Sequence, residues 1–187
     1  MSSWLLPDYI FATYREVTPE FLNSIGVKAL LIDIDNTLAP YEQPLPDEHI
    51  KAWFSSLKQN GISATLVSNN DRERVELFNK DLGLPAYYKS GKPFAKNLKK
   101  AMRDMGTDRT NTAMLGDQLL TDAAAGKHIG LTTIIVPPIN DKNNAFFRSK
   151  RAMEVRYIKK YVKLHGDESK SVCAFWIEKK YKKKNRI

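Results

Sequence analysis

The chain has 187 residues, a length that fits one domain of ordinary size with an extension. Its 42% hydrophobic content suffices for a core, and its one cysteine, Cys173, excludes an internal disulfide framework and has no CxxC partner for a metal site. The net charge of +9 is unevenly placed: residues 142–187 hold 15 Lys and Arg against 4 Asp and Glu, and residues 1–141 hold 15 against 17.

Residues 1–25 open with Trp4, Leu5, Leu6, Tyr9, Ile10 and Phe11, which suit packing on the domain or a lipid interface, where aromatic rings are favoured. Thr18-Pro-Glu-Phe21 predicts a helix start, a capping Thr followed by Pro at the first helical position. Lys28-Ala-Leu-Leu-Ile-Asp33 is an apolar run ending in acid. Strands covered on both faces do not alternate, so this run predicts a buried parallel strand. Residues 47–59 carry Ile50, Trp53, Phe54 and Leu57 at helical spacing, and Gly61 closes that helix. A second strand is predicted over Ile62–Val67, with the polar turn Ser68-Asn-Asn-Asp71 after it. Helix over 72–82, a short strand near Ala86–Tyr88 and a helix over 93–105 opened by Pro93 follow. Thr112–Leu115 predicts a strand running into Gly116-Asp117, then a helix to about Lys127. Leu131–Val136 is the last predicted strand, ended by Pro137-Pro138 because proline cannot continue a central strand.

Strand and helix alternate, which predicts an α/β domain with a parallel sheet over residues 1–141. Residues 142–187 form a basic extension. A basic helix is predicted over 145–163, with Phe146, Met153, Tyr157 and Val162 among its charges, then a break at 165–171. Residues 172–187 combine Val172, Phe175, Trp176 and Ile177 with a Lys-rich end from Lys179 to Arg186. That composition suits an interfacial helix on an anionic membrane, an arm on nucleic acid, or a plain solvated tail. No apolar run approaches the roughly 20 residues of a membrane span, and the N-terminus lacks a signal-peptide pattern, so a cytoplasmic protein is expected, with peripheral attachment to the inner membrane face as its variant.

Three predicted strands end in polar residues: Asp33 with Asp35, Ser68 with Asn69, and Asp117. In open parallel sheets the ligand crevice lies at the carboxyl ends of the strands, so the fold brings these groups to one rim. Each has a plainer reading alone. Asp33 and Asp35 can cap a turn, Ser68 or Asp117 a helix, and Lys92 and Asp122 can sit at the surface. Together they supply the parts of phosphoryl transfer: a carboxylate nucleophile, a second carboxylate as acid and base, oxygen ligands for Mg²⁺, and a fixed cation with hydroxyl and amide donors.

Asp33-x-Asp35-Asn-Thr37, Ser68, Lys92-Pro93 and Gly116-Asp117-x₄-Asp122 resemble, in order and strand context, the four motifs of the haloacid dehalogenase (HAD) superfamily. The resemblance covers roughly residues 25–140 and implies a Rossmann-like fold. It implies that Asp33 is the nucleophile, Asp35 the general acid/base, and Ser68 with the Asn69 amide the phosphate donors. Lys92 then steadies nucleophile and phosphate. Asp33, the Asp35 carbonyl and Asp117 hold Mg²⁺, and Asp122 orients Lys92 or a metal-bound water. Asn36 departs from the glycine of many members, but Asn tolerates unusual backbone angles. The DxDNT form resembles the IIIA branch, and the whole chain resembles the YqeG-type phosphatases of that branch, which resemble mitochondrial phosphatidylglycerophosphate phosphatases. Neither the stretch from Ala39 to Ile50 nor that from Ser68 to Lys92 is long enough for a cap domain. An open site and a phosphorylated substrate presented by a membrane, such as phosphatidylglycerophosphate, are therefore expected, with a soluble ester or a phosphoprotein as the alternative and a nucleic-acid or ribosome-bound module as a lesser one. His49, His128 and His165 have no metal-ligand spacing.

Overall fold

The computed structural model describes residues 5–140 and 145–178. Trp4, the side chain of Phe146 and the Lys-rich end from Lys179 to Arg186 lie outside the described residues. Six strands form one parallel sheet: β1 (Tyr9–Ile10), β2 (Ala29–Ile32), β3 (Ser63–Val67), β4 (Ala86–Tyr87), β5 (Thr112–Gly116) and β6 (Thr132–Ile135). Their spatial order is β1-β6-β5-β2-β3-β4, so the acid-terminated strand β2 lies inside the sheet.

The apolar run of β2 is buried along its whole length. Leu31 stands opposite Thr65 on β3 and Met114 on β5. Leu30 and Ile32 point to one face, where they meet Leu22, Trp53, Leu57, Val75 and Phe78. Leu31 points to the other, against Leu98, Ala101 and Met114. A strand sandwiched in this way has no polar face, which is why its sequence shows no alternation.

The helices on the first face are α1 (Pro19–Ser24), α2 (Glu48–Gln59) and α3 (Arg72–Asn79). Each opens on an oxygen cap: Thr18 accepts from the Phe21 amide at 3.3 Å, Asp47 from Ile50 at 2.8 Å and Asp71 from Arg74 at 2.9 Å. Such caps satisfy amides that the first helical turn leaves unpaired. On the second face, α4 (Lys96–Asp104) begins at Lys96 and not at Pro93. Residues 91–94 are spent on a tight turn, closed by the Phe94 amide on the Gly91 carbonyl at 2.8 Å, with a cis Lys92–Pro93 peptide inside it. The strand β1 was not expected. It is an edge strand of two residues, paired with Ile134 and Ile135, and too short to show any period.

The helix expected after Asp117 is in two parts, a π-helical turn over Leu119–Ala123 and then α5 (Ala124–His128). The C-terminal region forms α6 (Ala145–His165), a short 3₁₀ turn over Asp167–Ser169, and α7 (Lys170–Glu178). Ile158, Tyr161, Cys173 and Trp176 of these helices share a buried cluster with Ile10, Leu119 and Ile135. The Tyr161 hydroxyl accepts from the Ile10 amide at 3.2 Å. The described part of the extension is thus joined to the sheet by a common core. Among the described residues no helix is long and apolar enough to cross a membrane.

Candidate active site

The chain leaves β2 at Ile32, and the Asp33 amide continues the ladder on the Leu115 carbonyl at 2.9 Å. The loop then turns back on itself. Leu38 donates to the Ile34 carbonyl at 3.0 Å and Asn36 to the Ala39 carbonyl at 2.7 Å. Asn36 takes a left-handed conformation, φ 66°, the region where Asn replaces Gly at least cost. Its side-chain oxygen is also used, accepting from the Asn140 amide at 3.2 Å.

All seven predicted residues converge. Asp33, Asp35, Ser68, Lys92, Asp117 and Asp122 are buried. All of these but Asp117 line, together with Asn69, an open cleft of about 360 Å³ at the carboxyl ends of the strands. Lys92 Nζ lies 2.7 Å from Asp33 Oδ1 and 2.7 Å from Asp122 Oδ1, so one amine bridges two carboxylates. Ser68 Oγ accepts from the Asn70 amide at 3.0 Å. The Asn69 side chain engages the Lys92 turn: its oxygen accepts from the Lys92 amide at 2.9 Å and from Ser90 Oγ at 2.8 Å, and its nitrogen donates to the Lys92 carbonyl at 2.9 Å. It braces the turn that delivers Lys92.

Asp122 sits on the π-helical turn, a form that recurs at functional sites, and its Oδ2 accepts from the Gln118 amide at 3.0 Å. Gly116 makes room for it. A Cβ built there would stand 2.3 Å from Asp122 Cγ, so no other residue fits without moving the carboxylate. Asp35 points elsewhere. Its Oδ1 accepts from Arg74 Nε at 3.1 Å and its Oδ2 from Asn70 Nδ2 at 3.1 Å.

Arg74 and Asn70 escaped the sequence reading, as did Tyr41 and Lys150, which line the cleft. So did Arg151 on α6. Its Nη2 is 2.7 Å from Asp117 Oδ2, and its Nη1 donates to the Asp117 carbonyl at 3.0 Å and to Glu154 Oε2 at 2.8 Å. One signal was available: Glu154 is the only acidic residue in α6 and stands three positions after Arg151. The three histidines take no part in the cleft's lining. His165 stacks on Tyr161 with ring centroids 4.1 Å apart.

Carboxylate oxygens of Asp33, Asp117 and Asp122 lie within 4.8 Å of one another. Five acids of this neighbourhood (Asp33, Asp35, Asp117, Asp122, Glu154) face the ion-paired cations Lys92, Arg74 and Arg151, with Lys150 in the cleft's wall, so carboxylates outnumber cations among the described residues. Asp117 Oδ1 is buried without a hydrogen-bond partner, a costly state for a carboxylate oxygen. A divalent cation taking hard oxygen ligands removes both the excess charge and the orphan, so these residues fit one.

The same imbalance shows in the proton affinities. Burial pushes the Asp33 carboxyl up to about 8, against the pull of Lys92 and with a further push from Asp122 and Asp117. Burial pushes Asp117 up to about 7, opposed by Arg151. Burial also raises the Tyr41 hydroxyl, helped by the negative charge of Asp33 and Asp117. Folded values above the ordinary 3.8 mean that the fold binds these protons more tightly than the unfolded chain does. Their stabilising effect is complete below 3.8 and is lost as pH climbs through about 7 and about 8. In a chelator, Tm is therefore expected to fall across that window, and saturating Mg²⁺ is expected to flatten the slope. A Tm in chelator that is level through the window would contradict this picture of the site.

A family model for haloacid dehalogenase-like hydrolases matches residues 15–130. The chain is 36% identical over 158 residues to the Bacillus subtilis protein named "Probable phosphatase YqeG", covering 84% of this chain and 92% of that one. It is 26% identical over 153 residues to the chloroplastic phosphatidylglycerophosphate phosphatase 1 of Chlamydomonas reinhardtii, covering 77% of this chain and 57% of that one. Among solved structures, an uncharacterized protein from Listeria monocytogenes serotype 4b shares the fold, with a TM-score of 0.51 at 15% identity over 63% of this chain and 85% of that one.

Proposed function

We propose that this chain, which belongs to the haloacid dehalogenase-like hydrolase family and is a phosphatase of that family, cleaves phosphate monoesters through a covalent phosphoryl group on Asp33. The observation that carries this reading is the Lys92 amine set 2.7 Å from both Asp33 and Asp122, beneath a cleft that also holds Asp35 and Ser68.

In the first step the Asp33 carboxylate attacks phosphorus and the bond to the ester oxygen breaks, with Asp35 turning from Arg74 and Asn70 into the cleft to pass a proton to the departing alcohol. In the second, Asp35 takes a proton from water, the water oxygen bonds to phosphorus, and the Asp33 carboxylate leaves. Ser68 Oγ already accepts from the Asn70 amide, so its own hydrogen is free for a phosphoryl oxygen. The Asn69 backbone amide is the second donor. Lys92 holds Asp33 in place and offsets charge as the phosphate enters. Mg²⁺ is the metal of this reading, and Asp33, the Asp35 carbonyl and Asp117 would hold it. When bound, it screens the phosphate from the anionic nucleophile and polarises the phosphoryl group.

For the substrate we propose a lipid phosphate presented at a membrane surface, with phosphatidylglycerophosphate as the leading member of the class. Three observations support it. No inserted domain covers the cleft among the described residues. The loops that follow the strands expose Leu45, Tyr88, Phe94 and Ile139 around that end of the sheet, with Phe94 77% and Ile139 51% exposed, as interface-seated side chains require. Lys150 adds a positive charge to the cleft's lining. The name of the Chlamydomonas relative points the same way.

The test is Mg²⁺-dependent phosphate release from phosphatidylglycerophosphate in anionic vesicles, beside a panel of soluble phosphate esters. Faster release from the lipid is expected, and the double variant Phe94→Ser, Ile139→Ser is expected to lose it while keeping turnover of a soluble ester. Release from soluble esters alone would retain the phosphatase and remove the lipid assignment.

A further inference from the structure

The C-terminal helix α6 enters the catalytic end of the molecule with two successive residues. Lys150 lines the cleft, and Arg151 goes beneath it to Asp117. Arg151 is almost completely buried, as are Asp117 and Glu154. Its guanidinium grips Asp117 at two points, the Oδ2 carboxylate oxygen at 2.7 Å and the main-chain carbonyl at 3.0 Å. Glu154 completes the device, one oxygen on Arg151 at 2.8 Å and the other accepting from the Leu119 amide at 2.9 Å. The clamp thus ties three consecutive parts of the motif loop, the Asp117 side chain, its carbonyl and the start of the π-helical turn, to a single helix.

We infer that Arg151 is a positioning residue for the metal ligand Asp117, and that α6 is therefore a working part of the phosphatase site. Both Asp117 oxygens are buried, and only one can be turned toward the cation. With Oδ2 and the carbonyl fixed by a planar fork, the carboxylate has one orientation left, and it presents Oδ1, the oxygen without a hydrogen-bond partner. Outer partners that orient a ligand in this way commonly matter about 10–100-fold in metal affinity. Lysine cannot make the same grip, since it offers a point charge in place of a fork. Charge alone does not fix the sign, because a cation beside the ligand repels Mg²⁺ but also favours the ionised Asp117 that binds it. Arg151→Lys keeps the charge and loses the fork, so weaker binding by that variant is the mark of positioning.

The inference rests on the metal reading given above, and the experiment keeps the two apart. Mg²⁺ binding to the full chain is measured by titration calorimetry, alongside Tm, for the unaltered chain, Arg151→Met, Arg151→Lys and Ile158→Ala. Ile158 packs α6 into the shared core with Ile10 and Ile135 and has no part in the Arg151 clamp, so Ile158→Ala reports the cost of loosening the helix. Arg151→Met is expected to raise the Mg²⁺ dissociation constant by about tenfold or more, with Arg151→Lys between it and the unaltered chain. Ile158→Ala is expected to lower Tm and leave the constant within about twofold. Should Arg151→Met fail to fold, Arg151→Lys carries the comparison. Unchanged or tighter Mg²⁺ binding by the Arg151 variants overturns the inference, as does an Ile158→Ala effect of equal size. Absence of Mg²⁺ binding by the unaltered chain sinks the metal reading itself.

Discussion

Asp33→Asn is expected to lower phosphate release by at least about 10⁴-fold while the protein stays folded, because the change removes the proposed nucleophile. Asn has nearly the shape of Asp and keeps an oxygen able to accept from Lys92 Nζ, which lies 2.7 Å from Asp33 Oδ1. An amide is too weak a nucleophile to accept the phosphoryl group. The fold itself is expected to tolerate the change. Burial raises the Asp33 carboxyl to about 8, so an ionised Asp33 is a burden on the metal-free protein, and a neutral amide relieves it. Steady-state phosphate release and Tm in chelator check both halves. Turnover within about tenfold of the unaltered chain would remove Asp33 from the role of nucleophile.

The second large effect falls on stability as well as rate. Lys92→Met keeps an unbranched side chain of similar length and removes the amine that joins Asp33 to Asp122. All three side chains are buried. Taking one partner from a buried ion pair costs about 3–5 kcal/mol, since the charge left behind has neither water nor a counter-ion. Here two carboxylates are left, and protonation of Asp33 moderates the cost. Urea unfolding in chelator is expected to show a loss in that range, partly recovered by Mg²⁺, and phosphate release is expected to collapse with it. Lys92→Arg is not expected to rescue, because the socket is built for one nitrogen between two oxygens. A Lys92→Met protein as stable as the unaltered chain would mean that the bridge contributes little.

Much of the site was legible because its residues sit at strand ends, where hydrophobic runs stop abruptly in acid or hydroxyl. The run before Asp33, the run before Ser68 and the run before Gly116-Asp117 mark three parallel strands, and topology then carries their ends to one rim. Lys92 was legible by motif alone, since the turn that aims it is held by Asn69 from another strand end. The rest depended on distance in space. Arg74 reaches Asp35 across 39 residues, and Arg151 reaches Asp117 across 34. Neither spacing has a local period, and both arginines lie among other charged helical residues that read as ordinary exposed surface. Strand β1 was hidden for a related reason, being an edge of two residues whose partners, Ile134 and Ile135, lie far away in sequence. The late start of α4 was hidden because Pro93 serves a turn here, while proline in that setting also serves as a first helical residue.

The covalent phosphoryl group on Asp33 is the centre of the proposed mechanism, and trapping it tests the proposal most directly. The unaltered chain is mixed with Mg²⁺ and excess substrate, quenched in acid, reduced with borohydride and digested, and the peptide holding Asp33 is read by mass spectrometry. An acyl phosphate is reduced to the alcohol, so homoserine at position 33 is the expected result, absent without Mg²⁺ and absent in Asp33→Asn. Rapid phosphate release with an unmodified Asp33, or with the modification on Asp35 or Asp117, would contradict it.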